Sequence, residues 1–125
     1  MLKTVLILVS ALGVISCGSF VPVVKLDQQP LELRNKAAAM PIIGAGQKTD
    51  YVVVTMVEGN SCKNLMWDPP ATRTAAIEQI KFHALEAGAE AVANVQCGQR
   101  EGTSTNTNCW ELISCTAEAV KIVNK

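Results

Sequence analysis

The sequence predicts a small α+β domain stapled by disulfides, with one helix packed on a β-sheet in the order strand, helix, strand, strand. Three observations carry this expectation. Residues 72–88 repeat apolar side chains at helical spacing, whereas 51–57, 89–97 and 109–123 are β-branched or alternate apolar with polar. Four of the five cysteines, Cys62, Cys97, Cys109 and Cys115, fall in or beside the strand-like stretches. Aromatic residues make up only 4% of the chain, so the core is thin and gains from covalent help. One helix laid on one sheet is the simplest way to bury the faces these patterns create.

The elements follow in order. Residues 18–48 show no sustained period and read as a tether with weak local structure. Within it Val21–Leu26 is a possible short strand, with Pro22 pointing to an edge, and "LELRNKAAAM" forms two helical turns stopped at Met40-Pro41. Loop "GAGQKTD" leads into "YVVVTMV", a buried strand ended by a turn at Glu58-Gly59-Asn60. After the loop "KNLMWDPP" the helix starts near Ala71 or Thr72, with Thr72 as N-cap and Gly88 at the C′ position. Ile77, Ile80, Ala84 and Leu85 form its apolar stripe, and Glu78, Gln79, Lys81 and Glu86 lie on other faces. "AEAVANVQC" alternates as a strand, residues 98–108 form a polar loop, and "CWELISCTAEAVKIV" closes the chain as one long strand or two linked ones.

The first residues carry a different signal. Lys3 precedes thirteen mostly apolar residues, Thr4 to Ser16, too few for the ~20 that cross hydrocarbon and laid out like a secretory signal. Val14-Ile15-Ser16-Cys17 resembles a bacterial lipobox. That resemblance implies cleavage after residue 16, a diacylglycerol on the Cys17 sulfur and an N-acyl chain on its amine. Several acyl chains matter because each buried CH₂ adds ~0.8 kcal/mol and a single chain binds only reversibly. Gly18-Ser19, in place of an Asp after the Cys, implies the outer membrane. The expected organisation is therefore signal peptide 1–16, lipid anchor and tether 17–48, and folded domain 49–125. Residues 1–16 hold one of eleven Lys+Arg and none of eleven Asp+Glu, so the remainder carries a formal charge of −1. No basic run favours nucleic acid.

Four cysteines in an exported chain favour two disulfides. Cys109 and Cys115 are six residues apart in one extended segment, which separates their Cα atoms by ~20 Å, beyond the ~7 Å a disulfide tolerates. Cys62 then pairs with Cys109 or with Cys115, and spacing does not choose between them. No Cys-x-x-Cys supports a redox or zinc site. The lone His83, the absence of a Gly-rich phosphate loop and the absence of paired carboxylates leave no catalytic constellation. The reading is therefore no enzyme, no metal, and no cofactor beyond the covalent lipid on Cys17.

The lipobox cysteine followed by "EGNSC", "DPP" before a helix, "EAGAEAVANVQC" and "NCWELISC" is similar to the RcsF family of outer-membrane lipoproteins, over about Val57–Val123. The four-cysteine spacing is its most specific part. The resemblance implies a small α+β fold and interlocked bridges, Cys62–Cys109 and Cys97–Cys115. It also implies a sensor of envelope stress acting by protein contact: held by outer-membrane β-barrel proteins such as BamA and porins, and reaching the inner-membrane repressor IgaA to release the Rcs phosphorelay. Candidate contact surfaces are the helix face of Arg73, Glu78 and Lys81, read first as merely solvated, and the 98–108 loop. Trp110 is expected to pack against a disulfide.

Overall fold

The computed structural model describes residues 23–101 and 109–123; Cys17 lies outside them. A 3₁₀ turn, Leu26–Gln28, precedes helix α1, Leu31–Ala38, and a two-residue strand β1, Ile42–Ile43. Strand β2 runs Tyr51–Lys63, helix α2 Arg73–Glu86, β3 Ala91–Glu101 and β4 Glu111–Ile122. The strands form one mixed sheet in the order β1-β3-β4-β2, antiparallel except for β1 beside β3. This is the expected α+β class: α1 matches the two helical turns expected before Met40-Pro41, and β1 is added ahead of the expected strand-helix-strand-strand core.

The limits of α2 follow from its ends. Thr72 is extended and its Oγ1 accepts the Ala75 N–H at 3.1 Å, meeting one of the donors a helix start leaves open. The N–H groups of Thr72 and Ala71 donate to Ser61 Oγ and to Glu111 Oε2, tying the helix start to β2 and β4. At the far end Gly88 takes φ +79°, and its N–H and that of Ala89 close back on the carbonyls of Leu85 and Ala84. That is the Schellman arrangement, which favours glycine at the left-handed position.

Packing is tightest where α2 meets β2. Ala76, Ile80 and Ala84 are fully buried and join Val57, Val92, Cys115, Ala117 and Ala119 in the main core. Burying a side chain such as Ile80 contributes about 1.5–3 kcal/mol. Gly59 lies beneath this contact: a Cβ there would run into the Ala76 carbonyl oxygen and lie 2.8 Å from the Ile80 nitrogen. The expected turn at Glu58-Gly59-Asn60 is thus a continuation of β2, and the glycine serves close helix approach rather than a bend. A smaller cluster, Ala91, Ala93 and Val120 with Ile43, Tyr51 and Ile122 against it, holds the other face.

Further expectations need correction. Val52 to Met56, expected to be buried, are all exposed, because β2 is an edge strand. The strand read as ending at Cys97 runs on to Glu101, since β4 pairs with it throughout. Asn94 adopts φ +52° where the β3–β4 register shifts, a bulge position that Asn tolerates. Its amide donates to Glu118 Oε1 at 2.8 Å and reaches Tyr51 Oη at 3.4 Å. The closing segment is one strand.

The segment expected to be a tether is, from Val23 on, part of the body. Val23 to Lys25 form no strand. Instead Gln79 clamps Val24: its Oε1 accepts the Val24 N–H at 2.8 Å and its Nε2 donates to the Val24 carbonyl at 2.7 Å. Gln79 is 5% exposed, although its place in the sequence put it on a polar face. A buried amide needs partners for both ends, and an extended backbone residue supplies them. Ala37 and Met40 are also buried, and Val92 N–H donates to the Pro41 carbonyl.

Candidate functional site

The four downstream cysteines form two bridges, Cys62–Cys109 and Cys97–Cys115. Cys97 and Cys115 stand directly opposite each other in the β3–β4 ladder, with Cα atoms 4.0 Å apart. Cys109 lies just before β4 and reaches Cys62 with a Cα separation of 5.3 Å. Both bridges sit toward the end of the sheet where α2 begins, and they lock β2 and β3 to the segment that carries β4.

Past Cys62 the chain makes a short, fixed loop. Asp68 accepts the N–H groups of Asn64 and Leu65 at 3.2 and 2.9 Å, and its own N–H closes on the Leu65 carbonyl. This side-chain-closed turn presents Leu65, Met66 and Trp67 to solvent, with Met66 74% and Trp67 80% exposed. Trp110 is tied alongside by its backbone N–H, which donates to the Lys63 carbonyl at 2.6 Å, and the residue is 54% exposed. An apolar tip held by a bridge and a closed turn suits docking, because little freedom remains to be lost on contact. Of the loop expected at 98–108, residues 98–101 belong to β3 and 102–108 lie outside the described residues.

A second feature lies between α1 and α2. A cleft of about 470 Å³ opens there, floored by Phe82 and walled by Leu26, Ala37, Ala38, Ile42 and Ile77. Glu78, Lys81 and Arg34 also line it, while Arg73, the other member of the expected helix face, is exposed and does not. Arg34 Nε is buried and has no hydrogen-bond partner among the described residues, an arrangement that costs about 1–3 kcal/mol. Lys81 Nζ reaches the Ala38 carbonyl at 3.5 Å. His83 turns away to Glu86, with Nδ1 3.3 Å from Oε1.

Among the described residues no three His, Cys, Asp or Glu side chains come together. No protein-family model matches the chain, and no curated protein matches it. Sequence reasoning singled out the cysteines and Trp110 but missed Gln79 and Arg34. Both are long polar side chains on amphipathic helices, and only their tertiary neighbours distinguish them from solvated ones.

Proposed function

We propose that the protein is an envelope lipoprotein of the RcsF kind, anchored in the outer membrane through Cys17. It acts by touching other proteins and transforms no substrate. The observation that supports this reading is the crossed pairing of Cys62 with Cys109 and Cys97 with Cys115, the one the family resemblance implies. The lipobox before Cys17 and the rigid apolar tip at Met66, Trp67 and Trp110 agree with it. In this reading the tip meets BamA, a porin or IgaA, and envelope stress exchanges one contact for another. Deleting the gene and following an Rcs-dependent reporter under envelope stress tests it, and an unchanged response removes the signalling role. Cys17→Ala is expected to leave the domain folded and shift it from the membrane fraction to the soluble one.

One observation favours a second reading, an accessory of outer-membrane assembly with no phosphorelay role. The Gln79 clamp begins the body at Val24. Only five residues lie between Cys17 and Val23, and the six chain steps from one to the other reach at most about 20 Å. A domain held that near its anchor meets partners at the membrane more readily than partners across the periplasm. Crosslinking of the intact lipoprotein separates the two: capture of IgaA supports signalling, and capture of barrel components alone supports assembly.

A further inference from the structure

We propose that the α1–α2 cleft binds a single-chain anionic amphiphile, a long hydrocarbon chain carrying one carboxylate or phosphate head. Three observations lead there. The cavity, at about 470 Å³, lies in the range of small-molecule sites, and its lining is chiefly apolar. It is left open by sequence: α1 faces α2 with Ala37 and Ala38, while its larger side chains, Leu31 and Leu33, are exposed elsewhere. Two small residues where leucines would close the contact leave space that the protein's own described side chains do not fill.

The third observation sets the charge. Arg34 lines the cleft with a buried Nε–H that has no acceptor among the described residues. Lys81 stands on the same wall, so Arg34 and Lys81 outnumber the single carboxylate, Glu78. Neither Arg34 nor Lys81 has an ion-pair partner among the described residues. An anionic oxygen beside Arg34 supplies the missing acceptor in a charge-assisted hydrogen bond, and the chain covers Phe82, Ile77 and Ile42. A neutral apolar ligand would fill the space and leave the donor unpaired.

The test uses the chain carrying Cys17→Ser, so that no acyl group of its own competes, with both disulfides verified by mass. Binding of the fluorescent fatty acid cis-parinarate is followed, then its displacement by oleate, by a lysophosphatidate and by oleyl alcohol, all below their micellar concentrations. Saturable binding is expected, with the two anions displacing the probe about tenfold better than the alcohol. The stronger of the two anions identifies the head group. Arg34→Gln should remove the preference for anions and retain alcohol binding; Ala38→Trp, which fills the space, should abolish both, with unfolding midpoints like the parent's. No saturable binding, equal displacement by acid and alcohol, or unchanged preference in Arg34→Gln overturns the proposal. So does binding that survives Ala38→Trp.

Discussion

The two ends of the sheet are held by different forces. Over the span from Val57 to Ser61 and from Ala91 to Val95, α2 lies on the strands, and Ile80, Val92 and Ala117 are sealed from water. Beyond Ser61 the strands outrun the helix. There the chain entering α2 is tied to Ser61 and to Glu111 at the start of β4, and a bridge joins Cys62 to Cys109. Burial can stabilise only where a second layer exists. Where the sheet overhangs, constraining the unfolded chain does the equivalent work, and the apolar groups that remain can be displayed instead of buried. The overhang carries both exposed tryptophans, Trp67 and Trp110, with Met66, whereas the large apolar groups exposed elsewhere are aliphatic, along the β2 edge and at Val23, Leu31, Leu33, Ile42 and Val123.

That contrast can be broken at either end. The largest effect is expected from replacing Cys62 and Cys109 together by alanine. Opening a crosslink between residues 47 apart should cost about 4 kcal/mol. Urea titration under oxidising conditions measures it, and a midpoint like the parent's would show that the overhang does not need its bridge. At the covered half, Gly59→Ala drives a methyl group into the α2 backbone and should cost about 2–3 kcal/mol by the same titration. Little change there would mean that the helix is free to ride up.

Gln79→Ala should have a smaller and more local effect, about 1–2 kcal/mol. Amide exchange is expected to speed up at Val24 and through α1, leaving the β2–β4 ladder protected; a uniform rise would mean the clamp supports the whole fold. Trp67→Ala sharpens the comparison from the other side. The residue is 80% exposed, so stability should move by no more than about 0.5 kcal/mol. Crosslinking of the intact protein to the partners proposed for it should fall, and retention of every crosslink would remove the tip as a contact surface.

Much of this architecture is legible in the amino-acid order because its signals are short-range. Thr72, Gly88 and the Ile77–Leu85 stripe specify α2 through contacts within a few residues. Alternation specifies β3 and β4 in the same way, and an even cysteine count beside strands implies bridges. Signals that depended on one strand's place in the sheet were misread: the valines at 52–54 look like core until β2 turns out to be an edge.

What the sequence determined by itself, then, is the kind of each main element and the need for two crosslinks. Only the tertiary structure decided which cysteines meet, why residue 59 must be glycine, and that residues 24–43 belong to the body. It alone also placed Arg34 on the cleft between α1 and α2. The division has a physical cause. Caps and periodicities act between residues three or four apart, whereas Gln79 meets Val24 across 55 residues and Cys62 meets Cys109 across 47. Such contacts exist only after the chain has collapsed, when one polar side chain among several equivalent ones happens to find a buried partner.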